Sequence, residues 1–179
     1  MSRAPARPLL IAQTAAFTGL IVLGSWIAIP FAPVPFTLQT LFVLLSGAVM
    51  RRFAVIPTGL YLLMGLFAIP VFHSGTAGLG ILLGPTGGYI AGFIPGALIC
   101  GLLYERAGPA PRVLGIVLGT GVIYLCGIAW LIYSTGIPPG LALLVGALPF
   151  IPGDAIKGYA VWLVAGRLER TGFSGKEGG

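Results

Sequence analysis

The stretch VLGIVLGTGVIYLCGIAWLIY, residues 113–133, carries no charged residue over its whole length. A helix needs about 20 apolar residues to cross the hydrocarbon core of a bilayer, with a working range near 17–25. Residues 113–133 fit one crossing. Working outward from them, the same reading finds five more runs, at 9–29, 36–50, 53–69, 88–104 and 150–168. The run at 36–50 is short, and Val34 and Pro35 are taken to extend it. Pro149 and Pro152 interrupt the last apolar stretch, and because proline lacks a donor and starts or kinks helices, the sixth span is placed after Pro149. The piece 141–148 is read as either a half-helix or a surface segment.

Composition agrees with a bilayer as solvent. Hydrophobic residues make up 57% of the chain and charged residues only 8%, against about a quarter charged in soluble domains. Mean hydropathy is +1.03. The formal net charge of +6 would suit either nucleic acid or an anionic membrane surface. Here the basic residues flank apolar runs and form no patch with polar surroundings, which excludes the nucleic-acid footprint. Cys100 and Cys126 lie inside apolar runs and predict free thiols.

Lys and Arg collect on the cytoplasmic side of membrane spans. With the N-terminus inside, Arg3, Arg7, Arg51, Arg52, Arg106, Arg112, Arg167, Arg170 and Lys176 all fall inside. The outer segments 30–35, 70–87 and 134–148 carry no Lys, Arg, Asp or Glu. The expected fold is therefore an all-α, polytopic bundle of six transmembrane helices with both termini cytoplasmic, in the cell membrane. It divides into a cytoplasmic segment 1–8, a transmembrane domain 9–170 and a tail 171–179. Trp26, Trp130 and Tyr133 are expected as anchors at the membrane interface. Small residues spaced by four, at Gly92/Gly96, Gly115/Gly119, Ala12/Ala16 and Ala15/Gly19, suit close helix packing. Most are expected inside the chain, although the stripe on the first span could instead face a partner protein.

Asp154 and Lys157 carry the chemistry. They stand three apart, so one helix face presents both. Each costs about 2.5–3.5 kcal/mol near the centre of a membrane helix, and two such costs persist only with compensation. Either the pair locks helices together, or it faces a polar cavity. A start near Phe150 puts Asp154 close to the helix N-terminus, in the outer half of the membrane, where a carboxylate is favoured. A cavity there would open outward.

The loop 73–89 is rich in glycine, which lets backbone approach a ligand closely. It lacks the pattern Gly, four residues, Gly-Lys-Ser/Thr of a nucleotide-binding loop, so ATP hydrolysis is not expected of this chain. His73 reads as a solvated loop histidine, and one histidine cannot build a zinc site. Thr37 and Gln39 stand two apart, which on a helix places them on different faces. Ser and Thr often bond their own helix backbone, the simplest reading of Thr37 and Thr40. Gln39 is expected to face the protein interior.

Three segments, 33–39 (PVPFTLQ), 83–89 (LGPTGGY) and 149–157 (PFIPGDAIK), resemble in order and spacing the BioY family, the biotin-specific S components of energy-coupling-factor transporters. The resemblance covers about 9–170. It implies a chain that binds biotin from outside and works with a transmembrane coupling protein and two ABC-type ATPase subunits. Those subunits would bind the ATP, and the chain itself would need no cofactor and no metal. The Ala12/Ala16 stripe resembles the docking surface of such components. For the ligand site the resemblance implies Asp154 and Lys157, with Gln39, Thr37, Tyr89, Gly84 and Pro85. In this reading Asp154 accepts a ureido N–H of biotin, and Lys157 donates to the ureido carbonyl or to the carboxylate. The alternative is a proton-coupled secondary transporter of a small polar solute, with Asp154 as the proton carrier.

Overall fold

A computed structural model describes residues 6–170. The expected segment 171–179, and Arg3 in segment 1–8, lie outside the described residues. The chain forms eight α-helices and one two-stranded ribbon among the described residues: α1 (Arg7–Trp26), β1 (Ala28–Ile29), β2 (Phe36–Thr37), α2 (Gln39–Met50), α3 (Val55–Leu66), α4 (Leu79–Leu83), α5 (Gly87–Tyr104), α6 (Pro109–Thr135), α7 (Pro139–Gly146) and α8 (Ile151–Arg170). α1, α5, α6 and the stretch Gln39–Leu66 are long and apolar enough to cross a membrane, and α7 with α8 makes a bent pair at 51°. Large apolar side chains such as Ile11, Phe67, Leu125 and Ile156 are exposed. A lipid-facing surface requires that arrangement, and water would penalise it.

The stretch Gln39–Leu66 is a hairpin. In a straight helix Gln39 and Tyr61 would stand about 33 Å apart at 1.5 Å per residue, yet Gln39 Nε2 donates to the Tyr61 hydroxyl. The chain reverses at Arg51, whose φ is +58°, followed by a 3-10 turn over Arg51–Ala54. Gly101 permits this turn. A Cβ there would run into the Arg51 carbonyl.

α2 and α5 form the centre, with Val43, Leu44, Ala48, Ala97 and Cys100 buried to within about one per cent of full enclosure. α5 and α6 meet through small residues, as the four-residue spacing predicts. A Cβ on Gly92 would sit 3.0 Å from the Cys126 Cβ, and one on Gly119 would sit 2.8 Å from the Gly96 carbonyl. The stripe on α1 behaves differently. Ala12, Ala15, Ala16 and Gly19 are all exposed, so neither of its pairs is an internal contact. Cys100 and Cys126 are free.

Two expectations about element boundaries need correction, and the cavity follows from both. The first helix ends at Trp26, because residues 28–29 leave it to pair with 36–37, Ala28 opposite Thr37 and Ile29 opposite Phe36. The second helix does not begin near Val34. It starts at Gln39 and has 12 residues, about 18 Å, well short of the hydrocarbon thickness. Residues 34–38 therefore enter the bundle as non-helical backbone. Such backbone is tolerated at membrane depth only where protein buries it or a polar cavity takes it up. Part of its hydrogen bonding is met by α1, since the Leu38 amide donates to the Gly24 carbonyl at 3.1 Å. The undecided piece 141–148 is a short helix, α7, ending at Gly146.

Candidate substrate-binding site

Asp154 sits in the first turn of α8, and Lys157 one turn further along the same face. Lys157 Nζ lies 2.7 Å from Asp154 Oδ1, with both side chains less than a tenth exposed. Isolated burial of either charge would be costly, and the pair is tolerated because its remaining lone pairs and protons are also met. Thr40 Oγ1 donates to Asp154 Oδ1 at 3.1 Å. The Tyr124 hydroxyl donates to Asp154 Oδ2. Lys157 Nζ donates to the Thr37 carbonyl at 2.7 Å and to Thr40 Oγ1 at 3.0 Å. It also lies 3.9 Å from the centroid of the Phe36 ring, where a cation is attracted by the aromatic face.

The Thr37 carbonyl is free to accept because Thr37 lies in β2, outside any helix. This corrects the expectation that Thr37 and Gln39 lie on different faces of one helix. Two apart across the end of a strand, they meet, and Thr37 Oγ1 donates to Gln39 Oε1 at 3.0 Å. Gln39 does face inward, 6% exposed, with its amide directed to Tyr61. Thr40 does not bond its own helix backbone. Its hydroxyl joins the ion pair.

These groups line one small cavity of about 60 Å³. Thr37, Gln39, Thr40, Tyr124, Asp154 and Lys157 supply its polar wall. Val34, Phe36, Tyr89, Ile90, Phe93 and Ile123 supply an apolar one. Tyr89 presents its ring to the cavity and ties its hydroxyl to the Gly146 carbonyl at 2.8 Å, which joins α5 to α7. The ring fits because Gly127 faces it, and a Cβ there would overlap the ring carbons. The stacked Phe36 and Phe150 rings, 6.0 Å between centroids, close the side beside β2. Gly153 lets Phe36 approach α8, since a Cβ at 153 would collide with the ring.

Of the predicted residues, the fold brings Asp154, Lys157, Gln39, Thr37 and Tyr89 together around this cavity. Gly84 and Pro85 do not line it. They border an adjoining depression with Pro33, Phe31 and Ile81, which shares only Pro35, His73 and Thr86 with the cavity. The Gly84 carbonyl is occupied by Trp130 Nε1 at 2.9 Å. Trp130 is thus half-buried and pins the glycine-rich loop, more than the interface anchor its position suggests. His73 is likewise no free loop residue. It is half-buried at the border of cavity and depression, and burial holds its imidazole below the ordinary 6.5.

Sequence reasoning gave Tyr124 and Phe36 no role in the site and assigned the Thr40 hydroxyl to its own helix backbone. A signal for Tyr124 was present. Among the residues of 113–133 it is a phenol in mid-run, where its hydroxyl must find a partner away from water.

The model of the BioY family matches residues 1–172. The chain is 43% identical over 157 residues to a biotin transporter BioY of Thermotoga maritima, covering 86% of this chain and 92% of that one. It is 39% identical over 158 residues to a biotin transporter BioY2 of Lactococcus lactis, covering 85% of each. It is 39% identical over 166 residues to a biotin transporter BioY of Rhodobacter capsulatus, covering 83% and 87%. Among solved structures, the S-component for biotin from an ECF-type ABC transporter superposes with a TM-score of 0.81 at 26% identity, over 90% of both chains.

Proposed function

The chain belongs to the BioY family, and from that premise we propose that it is the biotin-capturing S component of an ECF-type importer and that the cavity around Asp154 and Lys157 holds the vitamin. The protein is a multi-pass membrane protein and a transporter subunit, not an enzyme. One observation carries the site assignment. The buried Asp154–Lys157 pair shares its hydrogen bonds with Thr37, Thr40 and Tyr124 and lines a cavity whose other walls are aromatic and aliphatic.

Biotin matches both walls. Its ureido group offers two N–H donors and a carbonyl acceptor, and its sulfur ring and valerate chain are apolar. Asp154 accepts a ureido N–H, which requires it to give up one of its present donors, Thr40 or Tyr124. Lys157 exchanges one of its protein acceptors for the ureido carbonyl or the valerate carboxylate. Phe36, Tyr89 and Phe93 pack on the apolar rings. Thr37 and Gln39 support the polar end, and Gly84 and Pro85 border the way in, where the adjoining depression meets the cavity.

The same proposal orients the chain. Arg7, the Arg51 turn, Arg106, Arg112, Arg167 and Arg170 stand at one end of a six-span bundle formed by α1, α2, α3, α5, α6 and α8, which lies in the cytoplasmic membrane with that end inside. The cavity then opens outward. Exposed Ala12 and Ala16 on α1 meet the transmembrane coupling protein, and two ABC-type ATPases supply the nucleotide chemistry. The proton-coupled alternative is not favoured, because the relatives are biotin transporters and the structural counterpart belongs to an ABC transporter.

Equilibrium binding of labelled biotin to the purified chain, competed with other water-soluble vitamins, tests the proposal. Displacement by biotin analogues alone is the expected result. Preferential displacement by riboflavin or thiamine would remove it.

A further inference from the structure

Exposed residues of α6 and α8, among them Val113, Val117, Tyr159 and Trp162, border an outer groove whose two halves differ in chemistry. Its apolar half runs along Val113, Ile116, Val117 and Gly121 of α6 and Ala155 and Tyr159 of α8, and ends at the back of Tyr124 and Asp154. Its charged half lies between Gly108, Pro109 and Arg112 at the start of α6 and Arg167, Glu169 and Arg170 at the end of α8. Trp162 lines both halves, so they form one continuous surface. Small residues keep the groove open. A Cβ at Gly121 would meet nothing within 4 Å, and one at Gly158 would meet only Ile116.

The charges in the groove do not cancel. Glu169 is its one carboxylate apart from Asp154 at the apolar end, and both Glu169 oxygens are taken, by Arg51 at 2.5 Å and Arg112 at 2.8 Å. Arg167 and Arg170 form no ion pair among the described residues and are exposed. The groove is therefore positive at the end of the bundle and apolar along its length. From Arg112 to Tyr124 it covers about 18 Å at 1.5 Å per residue, a length on the scale of one leaflet's hydrocarbon.

We propose that this groove holds one anionic phospholipid, with its phosphate against Arg167, Arg170 and the outer face of Arg112, and one acyl chain along α6 as far as Tyr124. Charge complementarity selects the headgroup, since a basic pocket between membrane helices at the interface suits an anionic lipid. The apolar half selects a chain-bearing ligand over a free phosphate. This inference rests on the membrane reading alone and is independent of which vitamin the cavity takes.

Native mass spectrometry of the full chain, loaded with phosphatidylglycerol or phosphatidylcholine of identical acyl chains, tests it. One phosphatidylglycerol should be retained in preference to phosphatidylcholine by about fivefold or more, as two arginines near an anionic group predict. Arg167→Gln with Arg170→Gln should abolish the preference. Gly121→Phe, placed where a Cβ meets no other atom within 4 Å, should weaken retention of long-chain lipid and leave a short-chain analogue bound. A thermal unfolding transition in detergent unchanged from that of the unaltered chain reports that each variant is folded. Equal retention of the two lipids by the unaltered chain would overturn the proposal. So would full displacement by excess inorganic phosphate, which would mark an ion site only. So would a change of the oligomeric mass in Gly121→Phe, which would mark the groove as a contact between copies.

Discussion

α8 carries two charged clusters built on opposite plans. Near its start, Asp154 and Lys157 stand on the same helix, and the partners that complete them come from β2, α2 and α6. Near its end, Glu169 stands alone and receives both partners from other segments, Arg51 from the turn after α2 and Arg112 from α6. Both arginines also lie within 6 Å of the Tyr104 ring, at 5.4 and 5.9 Å. The second cluster ties three segments of the bundle together through its charges. The first ties segments through neutral hydroxyls and a carbonyl and keeps its charges at a cavity wall. A charge pair contained in one helix can open to a ligand without separating helices. A pair shared between elements cannot, so the first is suited to binding and the second to holding the fold.

Replacing Asp154 by Asn should break the contrast most severely. It removes a charge-assisted bond to the ligand and leaves Lys157 buried without its counter-charge. Charge-assisted bonds contribute roughly 1.5–3 kcal/mol, so biotin affinity should fall by about tenfold or more, read by equilibrium binding. Unchanged affinity in a folded Asp154→Asn protein would take Asp154 out of the site. Glu169→Gln should do the reverse. Arg51, 6% exposed, then loses its carboxylate. Thermal unfolding in detergent should show a loss of about 2 kcal/mol or more, because breaking a buried pair leaves a charge uncompensated, while biotin affinity in the folded fraction stays within about twofold. A binding loss equal to that of Asp154→Asn would show that the two ends are not separable.

Tyr124→Phe sharpens the first half of the comparison. It removes one hydroxyl from Asp154 and leaves the ion pair and the ring in place. If Tyr124 positions the carboxylate, biotin affinity should fall by about three- to tenfold, the scale of one hydrogen bond near 1 kcal/mol. If the ligand displaces Tyr124 on binding, affinity should instead rise. Unchanged affinity would show that the Tyr124 hydroxyl neither positions the carboxylate nor gives way to the ligand.

How far the sequence reaches differs between the two ends. Span lengths and the one-sided distribution of arginine are composition-level signals, and residues 88–104 and 113–133 match α5 and α6 closely for that reason. Asp154 and Lys157 stand out because two charges within a span are costly. Residues 34–38 read as helix by hydrophobicity, yet they form a strand and its exit, because pairing with β1 and the needs of Lys157 outweigh local preference. Thr40 and Tyr124 are ordinary residues in their own segments and gain a role only from neighbours 114 and 30 positions away. Arg51 and Arg112 were legible as flanking charges, whereas their pairing with Glu169 depends on how the start of α6 meets the end of α8.

The smallest effect belongs to the pair that resembles the Glu169 cluster in composition and differs from it in burial. Arg52 meets Glu105 through two hydrogen bonds, at 2.7 and 2.5 Å, a bidentate geometry that would be strong away from water. The Arg52 side chain is 35% exposed, against 8% for Arg51. Water and salt screen the first and scarcely reach the second. Arg52→Gln should therefore cost little, as exposed pairs do, and the cost should shrink further as salt is raised. The loss in Glu169→Gln should hold nearly constant across the same salt series. If both variants respond to salt alike, exposure is not what separates the pairs, and the holding role assigned to the Glu169 cluster would have to rest on its aromatic contact with Tyr104 instead.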